Sequence, residues 1–135
     1  MVFGTFDIVH MGHIHMFKQA KEYCDYLVVV VARNKNVEKI KGIGPLHSEE
    51  ERKEFLENIK LIDEVSLGDE FDPYLRIKEV KPDIVAIGYD QQVFVDDLEE
   101  AITSFDLKSQ IVRLGPYQKN RFKSGKIKKY IERVV

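Results

Sequence analysis

Apolar and polar positions along the chain fall into blocks that predict strands and helices in alternation. The clearest block is the run of valines at positions 28–31, which is apolar on both faces, as in the central strands of parallel sheets. The predicted strands are residues 1–3, 25–32, 62–67, 83–88 and 110–114. The predicted helices are residues 10–23, 48–60, 74–80, 95–105 and 123–133.

This alternation predicts an α/β fold, in which helices in right-handed crossovers cover both faces of a parallel five-stranded sheet. The length of 135 residues suits one domain spanning residues 1–135. In such sheets, ligands bind beyond the carboxyl ends of the strands, where the strand order changes direction. Polar residues that follow strands are therefore the candidates for a functional site.

Two local features refine this prediction. Residues 33–47 are polar, contain glycine and lack periodicity, which predicts a long loop. Ser48, followed by three glutamates, predicts a capped helix start. The apolar residues Phe55, Leu56 and Ile59 of that helix are expected to face inward.

The charge balance gives no global attraction to nucleic acid or to anionic membranes, because 21 basic residues stand against 23 acidic ones and the net charge is −2. No apolar run is long enough to cross a bilayer, and the first residues lack the pattern of a signal peptide. We therefore expect a cytoplasmic protein without nucleic-acid or membrane partners. The single cysteine, Cys24, excludes an internal disulfide and a cysteine-based zinc site.

The candidate chemistry begins in the segment Gly-Thr-Phe-Asp-Ile-Val-His-Met-Gly-His at positions 4–13. It places His10 and His13 near a helix N-terminus, where unpaired backbone N–H groups and the helix dipole favour an anion. Gly12 has no side chain to keep a phosphate away from the backbone. A histidine at a helix start is also commonly a cap or a surface residue. The upstream residues and the strand–turn–helix context favour a nucleotide-phosphate site.

His15 raises the alternative of a metal site formed with His10 and His13. We disfavour it, because residues two apart on a helix point to different faces and no cysteine or nearby carboxylate completes a tetrahedral set. No protein metal site is expected from this segment.

Further polar residues follow the other predicted strands. Basic residues at 33–41 are suited to close over phosphates; a solvated loop is the competing explanation, and Lys41 is the functional candidate. Asp90 is placed to accept hydrogen bonds from a ribose or a base. Ser124 opens the last helix behind Lys123, where a hydroxyl and backbone amides form a second anion site; a simple helix cap also explains Ser124.

The segment at 4–13 resembles the signature of the cytidylyltransferase-like nucleotidyltransferases, and the similarity continues along nearly the whole chain. Residues 81–91, Lys-Pro-Asp-Ile-Val-Ala-Ile-Gly-Tyr-Asp-Gln, are nearly the Pro-Asp-Ile-x-x-Leu-Gly-Tyr-Asp-Gln of the archaeal FAD synthases. Residues 33–52, 62–68 and 112–117 are similar to the same enzymes. The resemblance implies a Rossmann-like nucleotidyltransferase fold.

The resemblance also implies an activity: transfer of the AMP moiety of ATP to FMN, giving FAD and pyrophosphate, with Mg²⁺ or another divalent cation bridging the phosphates. The small-molecule partners are then ATP and FMN, and a homodimer is expected because related enzymes are often homodimers. The expected catalytic residues are His10, His13 and Lys41. The residues expected to bind ATP are Thr5, Phe6, His10, Met11, Gly12, His13, Asp90, Tyr117, Lys123 and Ser124.

Three points stay open. The family carries paired hydroxyl residues in its C-terminal phosphate motif, whereas residues 124–127 read Ser-Gly-Lys-Ile, so that Lys123 and Lys126 are left to compensate. Asp7 either orders its turn or influences the metal shell. The alternatives to FMN adenylylation are a CTP-dependent cytidylyltransferase acting on glycerol 3-phosphate or a sugar phosphate, and a non-catalytic nucleotide- or flavin-binding regulator.

Overall fold

The computed structural model describes residues 1–91, 97–116 and 124–134. The strands are β1 Val2–Gly4, β2 Val28–Val31, β3 Glu64–Leu67, β4 Ile84–Ile87 and β5 Gln110–Arg113. The helices in this part of the chain are α1 Met11–Glu22, α2 Asn34–Lys41, α3 Glu49–Glu57, α4 Leu75–Val80, α5 Leu98–Ser104 and α6 Ser124–Val134.

The five strands form one parallel sheet in the order β3-β2-β1-β4-β5. The chain builds outward from β1 in one direction through β2 and β3, and in the other through β4 and β5. The change of direction therefore falls between β1 and β4, which is where a sheet of this type opens a crevice for a ligand. The α/β prediction with five parallel strands is confirmed.

Two apolar cores lie on opposite faces of the sheet, because successive side chains of a strand point to opposite sides. Val29 and Val31 pack with Phe17 of α1 and Leu56 of α3. The alternate residues of β2, Val28 and Val30, pack on the other face with residues of α4 and α5, among them Ile77, Leu98 and Ile102. The prediction that helices cover both faces is therefore confirmed.

The start of α3 matches the prediction from the sequence. The hydroxyl of Ser48 accepts a hydrogen bond from the N–H of Glu51 at 3.1 Å, and the carboxylate of Glu51 accepts one from the N–H of Ser48 at 3.0 Å.

The inward-facing positions of α3 differ from the prediction. The prediction for Phe55 was wrong, because this residue is 57% exposed while Leu56 is fully buried. Arg52, one turn earlier, occupies a core position that the apolar pattern does not reveal.

The prediction of a long loop over residues 33–47 was also wrong. Residues 34–41 form helix α2, which ends at Gly42 in the left-handed conformation (φ 78°) that favours glycine. In α2 only Val37 is buried. A helix that buries one residue lacks the apolar periodicity by which helices are recognised in a sequence.

In the described part of the chain, no helix combines the length and the apolar character that crossing a membrane requires.

Candidate active site

The segment at 4–13 forms the connection from the carboxyl end of β1 to the first turn of α1. His10 is the N-cap residue, with extended backbone (φ −142°, ψ −179°), and His13 lies in the first turn. Their ring centroids are 4.0 Å apart. The two histidines that the sequence singled out thus stand side by side beyond the end of β1.

Each histidine ring is held by the backbone of this turn. Nδ1 of His10 accepts a hydrogen bond from the N–H of Gly12 at 3.1 Å, and Nδ1 of His13 accepts one from the N–H of His10 at 3.2 Å. An Nδ1 that accepts carries no proton, so the ring hydrogen of each neutral imidazole lies on Nε2. Each neutral ring therefore has its N–H donor at Nε2.

This arrangement corrects one expectation from the sequence. The backbone donors at the start of α1 were expected to be unpaired, but Gly12 N–H is used by the ring of His10 and His13 N–H donates to the carbonyl of His10 at 3.0 Å. These two backbone donors are used in building the turn. The Nε2–H groups are then the ring donors of the two histidines at this helix start.

Burial keeps the two rings neutral near pH 7. Desolvation, with a smaller contribution from the charge of His10, lowers the pKa of His13 to about 4. Desolvation also lowers the pKa of His10. At neutral pH the two rings are therefore uncharged rather than two adjacent cations.

The turn before the histidines depends on Gly4 and Phe6. Phe6 has a left-handed backbone (φ 54°), which costs a phenylalanine about 1 kcal/mol or more. Its ring lies under Gly4, where any Cβ would come within 2.7 Å of the ring. The ring packs against Phe17 and meets His13 edge-on, with centroids 5.6 and 5.5 Å away. A buried aromatic ring therefore holds the strained turn and supports the His13 imidazole.

Asp7 orders a second segment of the site. Its buried carboxylate accepts hydrogen bonds from the N–H of Leu46 at 2.8 Å and of His47 at 2.9 Å. His47 Nδ1 also lies 2.7 Å from the Asp7 carbonyl oxygen. The loop that returns from α2 is thus tied to the β1–α1 connection, and of the two roles open for Asp7, the ordering of the turn is the one that these contacts support.

Arg52 is a buried charged residue that the apolar pattern did not predict. Its guanidinium, 1% exposed, donates to the Thr5 carbonyl at 2.7 Å, to Oδ1 of Asn34 at 2.6 Å and to the His47 carbonyl at 3.4 Å. One side chain therefore joins the β1–α1 connection, the start of α2 and the start of α3. A lone arginine at a core position of the α3 pattern was the available signal.

A neighbouring ion pair completes this framework. Arg33 donates to the Glu49 carboxylate at 2.6 Å and to the Gly68 carbonyl at 2.7 Å, so its guanidinium ties the ends of β2 and β3 together. Burial raises the pKa of Glu49, but hydrogen bonds from Arg33 and from the Asn34 N–H outweigh this effect and leave the pKa below its usual range. Arg33 is thus engaged with protein groups.

For the other predicted site residues that lie in the described part of the chain, the structure gives the position in the fold. The side chain of Phe6 is 4% exposed, so its part in binding ATP falls to its backbone and stays a prediction. Thr5, Met11 and Gly12 lie in the motif turn beside the histidines. Lys41 is exposed at the end of α2, and Asp90 is exposed just beyond β4. Tyr117, Lys123 and the side chain of Ser124 lie outside the described residues, although α6 begins at Ser124.

The family model of the cytidylyltransferase-like proteins matches residues 1–130. This chain belongs to that family. The family assignment agrees with the fold and with the paired histidines at the end of β1, and it confirms the resemblance seen in the sequence.

Archaeal relatives match over nearly the whole length. A FAD synthase of Ferroglobus placidus is 43% identical over 133 residues, which cover 98% of this chain and 84% of the relative. A FAD synthase of Thermoplasma acidophilum is 37% identical over 135 residues, covering 100% and 94%. The crystal structure of the lipopolysaccharide core biosynthesis protein of Thermoplasma volcanium GSS1 is 39% identical with a TM-score of 0.80, covering 87% of this chain and 95% of that one.

Proposed function

We propose that this member of the cytidylyltransferase-like family is an FMN adenylyltransferase, which makes FAD and pyrophosphate from ATP and FMN. Relatives that carry the name FAD synthase at 37–44% identity support the choice of substrates. The single structural observation that carries the chemistry is the pair of imidazoles in which backbone hydrogen bonds to Nδ1 leave both Nε2–H groups as donors.

The reaction needs no covalent enzyme intermediate. An oxygen of the FMN phosphate attacks the α-phosphorus of ATP in line, the new phosphoanhydride bond forms, and the bond to the α,β-bridging oxygen breaks. Pyrophosphate leaves with the bonding electrons, so negative charge grows on the leaving group. No side-chain base is required, because the FMN phosphate is already ionised.

His10 and His13 would stabilise that charge. Their Nε2–H groups stand at the N-terminus of α1, where the helix dipole also favours negative charge. Since both rings are already fixed by the backbone, little reorganisation is needed as the charge develops. We assign both residues to the phosphates of ATP and Lys41 to a closing contact with the same phosphates.

A divalent cation fits this site as a companion of ATP. Both carboxylate oxygens of Asp7 accept backbone N–H groups, and the described residues include no cluster of three histidine, cysteine or carboxylate side chains suited to hold a metal. A Mg²⁺ ion at this site would therefore be held mainly by phosphate oxygens of ATP and by water. When bound, the cation would neutralise charge on the phosphates.

The test is to incubate the protein with Mg²⁺, FMN and each nucleoside triphosphate in turn, and to separate the products by chromatography. We expect FAD and pyrophosphate in equal amounts with ATP. Cytidylyl transfer from CTP to glycerol 3-phosphate without FAD formation would replace the proposed substrates. Binding of ATP or FMN without any product would favour a non-catalytic regulator.

A homodimer, a cytoplasmic location and the absence of nucleic-acid partners remain predictions. Sedimentation of the purified protein with and without ATP tests the dimer directly. An electrophoretic shift assay with mixed DNA and RNA fragments tests the last prediction.

A further inference from the structure

The ladder of backbone hydrogen bonds between β1 and β4 ends before the carboxyl ends of the two strands. The N–H of Ala86 donates to the carbonyl of Met1 at 2.9 Å, and Val2 is paired with Ala86. In a parallel ladder this bond repeats two residues further along each strand, which would join the N–H of Gly88 to the carbonyl of Phe3. That direct bond is not made.

The side-chain amide of Gln91 stands in its place. The N–H of Gly88 donates to Oε1 of Gln91 at 2.7 Å, and Nε2 of Gln91 donates to the carbonyl of Phe3 at 2.7 Å. The two backbone partners have opposite polarity, so the amide has one orientation that satisfies both. Two short hydrogen bonds and one amide group thus replace a single direct hydrogen bond.

The Gln91 amide is inserted between β1 and β4 at their carboxyl ends. The strand order changes direction here, and sheets of this type receive their ligand at such a point. Phe3 directly precedes the Gly4–Thr5 turn that leads to the histidines, and Gln91 directly follows Asp90. The same side chain therefore connects both walls of the crevice.

The surroundings of Gln91 hold it in this position. The backbone N–H of Gln91 donates to the Gly88 carbonyl at 3.2 Å, closing a tight turn. Gly88 is buried, and a Cβ there would come within 3.3 Å of Oε1 of Gln91. Arg113 of β5 donates to the carbonyls of Gly88 and Tyr89, at 3.2 Å each, so the turn is fixed from its other side as well.

We propose that Gln91 is a positioning residue that holds the β1–β4 crevice open for the nucleoside part of ATP, acting as a side-chain rung between Phe3 and Gly88. This inference rests on the proposed use of ATP. In this role Gln91 does not contact the reacting atoms. Loss of the rung should therefore weaken nucleotide binding far more than it slows the reaction of the bound substrates.

Two variants separate the parts of this role. Gln91→Glu keeps the shape and the acceptor but removes the donor to Phe3, and Gln91→Leu removes both hydrogen bonds. We expect the Kd of a non-hydrolysable ATP analogue and the KM for ATP to rise about tenfold in Gln91→Glu, the equivalent of one hydrogen bond, and further in Gln91→Leu. The kcat should stay within about threefold, because the histidines are untouched.

Gln110→Glu is the matched control. Gln110 is exposed at the opposite, amino-terminal end of β5, so the same chemical change should leave Kd and KM unaltered. Thermal melting of all variants checks the fold. If Gln91→Leu does not fold, the Kd and KM of the isosteric Gln91→Glu test the positioning role.

Folded Gln91 variants with wild-type Kd and KM would overturn the inference, even if their melting temperatures were lower, since the role would then be structural alone. Calorimetry with the ATP analogue reports on the crevice without turnover. A wild-type protein that binds ATP but forms no FAD would therefore refute the proposed reaction and leave the test of Gln91 intact.

Discussion

Nδ1 of His13 accepts a hydrogen bond from the backbone N–H of His10 at 3.2 Å, so one member of the histidine pair holds the main chain of the other. His10 makes the corresponding contact with Gly12. The two residues are therefore both part of the helix cap and, by our proposal, donors to phosphate. The capping role and the chemical role can be separated by mutation.

His13→Ala should lower kcat by about a hundredfold or more, and His10→Ala by less. Removing a preorganised donor to developing charge costs on the order of 3 kcal/mol. Steady-state FAD formation measures the effect, and circular dichroism checks the fold. His15→Ala, on the same helix but outside the pair, is the control. Near-normal turnover in both variants would remove these histidines from the chemistry.

His13→Asn should be as inactive as His13→Ala but more stable. The Oδ1 of asparagine can replace Nδ1 as the acceptor of the His10 N–H, while no group replaces Nε2–H. The lost cap should cost the alanine variant about 1 kcal/mol relative to the asparagine variant in urea unfolding. Equal stability of the two variants would show that the cap contributes nothing.

The free energy of unfolding should fall as the pH drops from 7 toward 4. The pKa of His13 is about 4 in the folded protein and about 6.5 when unfolded. Between these two values the unfolded chain binds a proton on His13 and the folded protein does not, so lowering the pH stabilises the unfolded state. The loss amounts to at most about 3 kcal/mol. Urea unfolding at several pH values should show a smaller decline in His13→Asn, and parallel curves for the two proteins would contradict this.

Asp7→Asn should loosen the loop between α2 and α3. An asparagine offers one acceptor to the two N–H groups of Leu46 and His47, so one of them loses its partner at a cost of about 1–3 kcal/mol. We expect faster tryptic cleavage after Lys41 and a higher KM for ATP. The exposed Asp25→Asn is the control, and an unchanged cleavage rate would argue against this anchor.

Arg52→Lys should destabilise the protein by on the order of 3 kcal/mol. A lysine cannot direct donors to Thr5, Asn34 and His47 together, and it leaves buried acceptors unpaired. Arg76→Lys is the matched control, because Arg76 also donates to a backbone carbonyl but is partly exposed. Chemical denaturation compares the two, and an equal loss in both would show that burial of Arg52 has no special effect.

Much of the fold was determined by the sequence itself. The valine run of β2 is apolar on both faces, so it predicts a central parallel strand whatever its neighbours are, and the structure places it between β1 and β3. The alternation of strands and helices, the capped start of α3 and the position of the histidine motif are also local features. They were predicted correctly because residues close in the sequence produce them.

The tertiary structure decided what depends on residues far apart in the chain. Helix α2 buries a single residue and was invisible to periodicity, and Arg52 occupies a core position because acceptors from three separate segments meet there. The amide of Gln91 spans Phe3 and Gly88, residues 85 positions apart in the numbering, only because β1 and β4 are neighbours. Such contacts depend on the strand order and on which backbone donors and acceptors from distant segments meet. A local sequence pattern predicts neither of these.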